Sequence, residues 1–217
     1  MTDSIHNLAT KVTTADLVDA MGRMHRHRCH ILDLVTPTAG RVLFGPASTV
    51  SYFPTCTEVL DPKRYNFATL FHHAVGTESE GRVLVLASNG HRGVSLGGSV
   101  KLSRAQNAGL AGVLADARLR DFDELAGYDF ATYCRGEATK WGGDVVTPYQ
   151  ANVPVVIDGV GIFPGDYVHA DSSGAVVVPA SQIREVLEEA IRVNEEDVAH
   201  IAEIKAEGPG DVIEYQW

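Results

Sequence analysis

Two short apolar runs with a helix-length segment between them constrain the fold of this chain most. Residues 82–87 (RVLVLA) and 112–115 (GVLA) have the length and apolar character of buried strands. The intervening segment 100–108 has helical character and ends at Gly109, a residue typical of a helix C-terminus. Strand, loop, helix and strand in this order form a βαβ unit, so the sequence predicts an α/β fold with a parallel layer.

The segments on the N-terminal side add helices and further β-structure. Residues 14–24 (TADLVDAMGRM) place apolar side chains at helical spacing after Thr14, an N-cap candidate. Residues 41–53 are predicted to be β-structure interrupted by a turn at Gly45 and Pro46. Residues 65–75 are predicted to be helical.

The C-terminal third predicts a β-rich layer followed by one long helix. Residues 153–179 alternate short apolar runs with turn residues. Residues 181–205 carry apolar positions at helical spacing, with Ser181 as the predicted N-cap. The glycines and proline at 208–210 cannot continue that helix. We therefore expect one domain over residues 1–206 and a C-terminal tail over 207–217.

Composition argues against some classes of partner. The chain has 18 Lys and Arg residues against 28 Asp and Glu residues, a net charge of −10 that should repel a phosphate backbone. It has no apolar run of the roughly 20 residues that a membrane helix needs. Three cysteines are an odd number at wide spacing, which favours reduced thiols. These features predict a cytoplasmic protein that binds neither nucleic acid nor membrane.

The segment 97–121 (GGSVKLSRAQNAGLAGVLADARLRD) is the most informative for chemistry. A Gly-Gly loop that opens a helix leaves backbone amides free to bind a carboxylate or an enolate oxygen. Arg120 can clamp a carboxylate, and Asp121 can hold a hard divalent cation. Taken alone, such a loop is usually a tight turn, and such a pair is usually a surface salt bridge. Their joint placement at strand ends that meet in a parallel sheet favours a site.

The chain also resembles a known family. The motifs that carry the resemblance are TADLVDAMGRM, GPASTV, GGSVKLSRAQNAGLAGVLADARLRD and PVVIDGVGIFPGDYVHADSSGAVVVP, in order over roughly residues 10 to 192. They resemble the family of regulator of ribonuclease activity A and the 4-hydroxy-4-methyl-2-oxoglutarate aldolases. The resemblance implies a layered β/β/α swivelling-domain fold with a long C-terminal helix. It also implies a trimer or a dimer of trimers with the active site at a subunit interface.

The resemblance further implies roles for individual residues. Gly98, Ser99, Val100 and Lys101 would form the loop that binds a small oxo acid through backbone amides. Arg120 would contact the substrate, and Asp121 would bind Mg²⁺ or Mn²⁺, largely through waters. Asp116 would lie behind these two residues and orient them.

The reaction that these roles imply is a carbon–carbon cleavage. Retro-aldol cleavage of a 4-hydroxy-2-oxo acid, or decarboxylation of a β-oxo acid, leaves a pyruvate-type enolate that metal, arginine and amides would stabilise. This chain differs from the usual sequence of the family's motifs at Ser99, Lys101, Ala117 and Arg118. The natural substrate is therefore open. The alternatives are a related lyase or isomerase of specialised metabolism and a non-catalytic regulator of an RNA-processing enzyme.

Other candidate residues are weaker. A Schiff base on Lys101 is disfavoured because its stem is expected to be exposed near the helix start. The sequence HRHRCH at 25–30 contains metal-ligand types, but alternating neighbours do not easily converge on one zinc ion. His91 lies in the glycine-rich loop and is the histidine most apt to touch substrate. The acids at 195–197 are candidates for a general base, although such a run is usually a solvated helix face.

Overall fold

The structure is a computed structural model that describes residues 3–24, 28–208 and 210. Its helices are α1 (Ile5–Ala9), α2 (Thr14–Met24), α3 (Phe67–Val75), α4 (Ser99–Asn107), α5 (Phe122–Ala126) and α6 (Ile183–Lys205). Its strands are β1 (His30–Ile31), β2 (Leu43–Pro54), β3 (Val83–Ala87), β4 (Gly112–Ala115), β5 (Ala131–Tyr133), β6 (Val146–Ala151), β7 (Val155–Ile157), β8 (Val160–Ile162), β9 (Tyr167–Asp171) and β10 (Gly174–Val178).

Eight strands form one mixed sheet in the order β1-β10-β9-β2-β3-β4-β5, with β6 paired to β2. Strands β2, β3, β4 and β5 run parallel, whereas β9 and β6 pair with β2 antiparallel. The βαβ prediction is confirmed, since β3 and β4 are parallel neighbours joined through α4. The carboxyl ends of the parallel strands therefore share one edge.

Strand β2 is continuous, so the predicted turn at Gly45 and Pro46 is wrong. These two residues lie where β2 exchanges partners, because Pro46 pairs with Tyr167 of β9 and Ala47 pairs with Val83 of β3. A Cβ at Gly45 would collide with the carbonyl of Gly81. The glycine thus permits a close approach of two backbones, a role that the sequence does not distinguish from a turn.

Three apolar clusters arrange the layers. The first lies between the sheet and the helices α3 and α4, the second between the other side of the sheet and the β7–β8 hairpin. The third joins α1, α2 and α6 to β10. The predicted α/β fold with layered β-structure and a long C-terminal helix is confirmed. Within the described chain, every helix is too short or too polar to cross a bilayer.

The predicted helix ends agree with the structure in one case and differ from it in another. The helix predicted over 14–24 is confirmed. Helix α6 begins at Ile183 after Gln182, which makes no side-chain cap, so the Ser181 cap is wrong. The reason is a turn in which the Gln182 amide donates to the Pro179 carbonyl and delays the helix start. Of the predicted tail, residues 209 and 211–217 lie outside the described residues.

Candidate functional site

The glycine loop and the Arg-Asp pair meet in space. Gly98 is the N-cap of α4 in extended conformation. A Cβ added there would lie 2.6 Å from Arg120 Cγ and would collide with Asp121 Oδ2. The sequence separates these residues by a helix and a strand, but the parallel sheet brings both loops to one edge. Their proximity is the geometry that the two motifs predict jointly.

Asp121 holds its carboxylate against the start of α4. One oxygen, Oδ2, accepts hydrogen bonds from the Ser99 amide at 3.0 Å and from the Ser99 hydroxyl at 3.1 Å. The residue itself is left-handed, with φ 62° and ψ 46°, a conformation that aspartate tolerates better than most residues. The carboxylate lies at the N-terminal end of α4, which is the positive end of the helix dipole. The Ser99 amide is therefore already engaged by Asp121.

Arg120 and the remaining amides of the first turn offer donors for an anion. The Arg120 side chain is 45% exposed, and its Nε lies 3.7 Å from Asp121 Oδ2. The amides of Val100 and Lys101 lie in the first turn of α4, where no intrahelical acceptor is available. A carboxylate placed here would meet a guanidinium fork and a helix N-terminus together.

The side chain of Lys101 is half-buried, so the predicted exposed stem is wrong. Its Nζ donates to the Leu96 carbonyl at 3.1 Å and lies 5.4 Å from the centre of the Phe67 ring. Burial, followed by the positive charge of Arg120, lowers the pKa of this amine. Helix α4 turns this position toward α3, which the sequence could not indicate because lysine is normally solvated.

Asp116 belongs to a separate ion-pair network at the same sheet edge. Its Oδ1 lies 3.0 Å from Arg92 Nε and 3.3 Å from Arg135 Nε, and both arginines also contact Asp158. Burial raises the pKa of Asp116, and the two arginines oppose that shift. Within the described residues, no hydrogen bond or ion pair joins Asp116 to Arg120 or Asp121. Its role in orienting that pair stays a prediction.

Two further side chains at the site were not predicted. Glu137 Oε1 accepts a hydrogen bond at 3.0 Å from the backbone amide of Phe122, the residue that follows Asp121. The Tyr128 hydroxyl donates to the Ser99 carbonyl at 3.0 Å. Glu137 is exposed and places a second carboxylate beside the Asp121 backbone. Both residues lie in ordinary loop sequence with no motif that would single them out.

The weaker candidates do not join this group. His91 lies in the turn after β3, where its amide donates to the Ser88 carbonyl. Residues 25–27 of the HRHRCH segment lie outside the described residues, while Cys29 is buried. Glu196 pairs with Arg23 of α2 at 2.8 Å, in the helical layer. Across the described ranges, no three His, Cys, Asp or Glu residues are grouped to hold a metal.

Comparison with known proteins identifies the family of the chain. The family model described as "RraA-like: Aldolase/RraA" matches residues 14–177. The "Putative 4-hydroxy-4-methyl-2-oxoglutarate aldolase" of Halalkalibacterium halodurans is 31% identical over 121 residues, which are 56% of this chain and 57% of that protein. Protein DlpA of Legionella pneumophila is 27% identical over 77% of this chain, which spans 27% of the length of DlpA.

The fold is similar to that of solved structures. RraAS2 of Streptomyces coelicolor, described as an unusual member of the RNase ES inhibitor RraA protein family, superimposes with a TM-score of 0.77. The two chains are 24% identical, and the match covers 92% of this chain and 96% of RraAS2. At that identity the similarity establishes the fold alone.

Proposed function

Because the chain belongs to the RraA-like family, which is described as Aldolase/RraA, we propose that it is a divalent-metal-dependent carbon–carbon lyase that cleaves a small 2-oxo acid. The reaction class is retro-aldol cleavage or decarboxylation through a pyruvate-type enolate. The observation that carries the proposal is the contact of the Gly98 loop with Arg120 and Asp121. It joins an anion-binding helix start, an exposed guanidinium and a carboxylate in one place.

Different residues of the site would bind the substrate and stabilise the developing charge. Arg120 would hold the substrate carboxylate through two parallel hydrogen bonds. The amides of Val100 and Lys101 would donate to the oxygen on which negative charge develops as the carbon–carbon bond breaks. Because these amides are fixed by α4, they need no reorganisation as the charge forms. Glu137, exposed beside Asp121, is a candidate to accept the proton of a 4-hydroxyl group.

Asp121 would hold the metal. Ser99 occupies one of its oxygens, and the other has no hydrogen-bond partner within the described residues. Mg²⁺ and Mn²⁺ can be held by one protein carboxylate when waters and substrate complete the coordination shell. A metal that needs several side-chain ligands fits this site less well. When bound, Mg²⁺ or Mn²⁺ would supply Lewis-acid stabilisation of the negative charge that develops on the substrate.

The decisive experiment measures pyruvate release. The protein is incubated with 4-hydroxy-4-methyl-2-oxoglutarate and, separately, with oxaloacetate, each with Mg²⁺, with Mn²⁺ or with EDTA. We expect turnover with metal and its loss in EDTA. Asparagine also tolerates the left-handed backbone, so Asp121→Asn removes the charge without straining the chain, and Arg120→Ala removes the guanidinium. Each should lower kcat/KM by about 100-fold or more, as for other preorganised charge-stabilising groups.

Matched controls separate these effects from general damage. Asp123→Asn changes an exposed acid two residues away, and Arg184→Ala removes a surface arginine on α6. Both should retain activity. Turnover in EDTA equal to that in metal would contradict the metal dependence. Absence of turnover on both substrates would favour the specialised-metabolite or the non-catalytic alternative over the proposed reaction.

A further inference from the structure

A cavity of about 330 Å³ lies beside the Gly98 loop, on the side of Lys101. Its walls come from the segment between β2 and α3, the start of α3, residues 95–96 and the loop before β6. Aromatic and aliphatic side chains dominate the lining and include Leu60, Tyr65, Phe67, Leu96 and Trp141. A mostly apolar cavity of this size is typical of a small-molecule site.

Several polar groups in the wall already form hydrogen bonds within the protein. The Thr55 hydroxyl lies 3.0 Å from both the Gly143 carbonyl and the Thr147 hydroxyl, and the Ser95 hydroxyl donates to the Gly97 carbonyl at 2.8 Å. The side chain of Asn66 donates to two backbone carbonyls and accepts from a third residue. These hydrogen bonds fix the walls of the cavity.

Lys101 is the only charged residue among the described residues that line the cavity. Lys101 Nζ has three N–H donors, of which Leu96 takes one, and the phenyl face of Phe67 contacts the ammonium. The Tyr52 hydroxyl is buried and has no hydrogen-bond partner within the described residues. The described residues that line the cavity include no Asp or Glu to neutralise Lys101. A cavity with apolar walls and one cation that no lining carboxylate neutralises favours a ligand that is largely apolar and carries one negative charge.

We propose that this cavity is a binding site for a monocarboxylic acid with an aromatic or branched aliphatic body, whose carboxylate pairs with Lys101. The apolar body would pack among Leu60, Phe67 and Trp141. A second carboxylate or a phosphate would have to be buried without a partner, which is costly. This binding site does not rest on the proposed lyase reaction. Neither Arg120 nor Asp121 lines the cavity, and the cation that binds the ligand is Lys101.

The test is direct binding in EDTA, so that its outcome is independent of turnover. The chain has two tryptophans, Trp141 and Trp217, so a Trp217→Phe background leaves Trp141 as the sole reporter. 3-Phenylpropanoate, its neutral amide and acetate are titrated by calorimetry and by tryptophan emission. We expect the acid to bind and to change Trp141 emission, the amide to bind at least tenfold more weakly, and acetate to produce no change.

Lysine variants identify the cation. Lys101→Met keeps the aliphatic stem and should weaken binding of the acid at least tenfold, whereas Lys205→Met on α6 should leave it unchanged. Equal affinity for acid and amide, binding without a Trp141 response, or full affinity in Lys101→Met would each overturn the proposal. Should Lys101→Met fail to fold, the comparison of acid with amide on the Trp217→Phe protein decides the matter.

Discussion

At the scale of single residues, the geometry of the site requires that position 98 carry no side chain. Gly98 is in an ordinary extended conformation, so its need for glycine comes from crowding, not from backbone strain. Gly98→Ala would drive a methyl group into Arg120 Cγ and Asp121 Oδ2. We expect kcat/KM to fall by about 100-fold, since a displacement of about 1 Å is enough for such a loss. Overpacking should also cost about 1–3 kcal/mol in the free energy of unfolding.

The adjacent glycine provides the control for this prediction. A Cβ at Gly97 would meet its nearest neighbours, carbons of Lys101, at 3.7 Å, an ordinary van der Waals distance. Gly97→Ala should therefore stay close to wild type in both steady-state kinetics and thermal unfolding. Equal losses in the two variants would show that the loop tolerates no substitution and that the contact with the Arg-Asp pair is not the cause.

At the scale of elements, an ion-pair network attaches the β7–β8 hairpin to the strand ends. Asp158 and Gly159 form its two-residue turn with φ of 52° and 77°, as a type I′ turn requires. The Asp158 carboxylate contacts Arg92 and Arg135, and the Arg135 side chain is 8% exposed. Burial opposes ionisation of Asp158, but the two arginines outweigh it and hold the pKa of this carboxyl below its ordinary value.

Asp158→Asn tests that attachment. Asparagine keeps the turn conformation but leaves Arg135 with less compensation for its burial, so unfolding in urea should show a loss of about 1.5–3 kcal/mol, as for a hydrogen bond to a charged group. Asp33→Asn is the matched control, because Asp33 is also left-handed, with φ 56°, but is exposed and in no ion pair within the described chain. A loss in Asp33→Asn as large as that in Asp158→Asn would contradict the electrostatic explanation.

The same elements show how far the sequence could predict the fold and the site. Apolar runs and helical spacing identified β3, α4, β4 and α6, because burial alone dictates those patterns. The continuity of β2 and the start of α6 were misjudged, since a close backbone approach at Gly45 and a turn over Pro179–Gln182 leave no local signal. The approach of Gly98 to Arg120 followed from topology. The half-buried Lys101 depended on packing between helices, which the sequence does not encode locally.

At the scale of the whole molecule, the exposed surface near the site favours an assembly. Val100 in the first turn of α4 is 75% exposed, and Trp141 at the neighbouring cavity is 54% exposed. Large apolar side chains left exposed on either side of the substrate loop favour contact with another subunit. A subunit placed over this surface would exclude water from the site. The family resemblance implies that this assembly is a trimer or a dimer of trimers, and we predict that Val100 lies at its interface. Light scattering should give three or six times the chain mass of 23.3 kDa.

Val100→Glu tests which surface forms the interface. A buried unpaired charge there should shift the mass toward that of the monomer and lower activity together. Val198→Glu places the same charge on α6, at a valine that is 61% exposed in the helical layer, and should leave mass and activity unchanged. Dissociation by Val198→Glu but not by Val100→Glu would assign the interface to the helical layer and leave the active site open to solvent. A wild-type monomer that is fully active would contradict the interfacial site altogether, because every group needed for turnover would then lie within one chain.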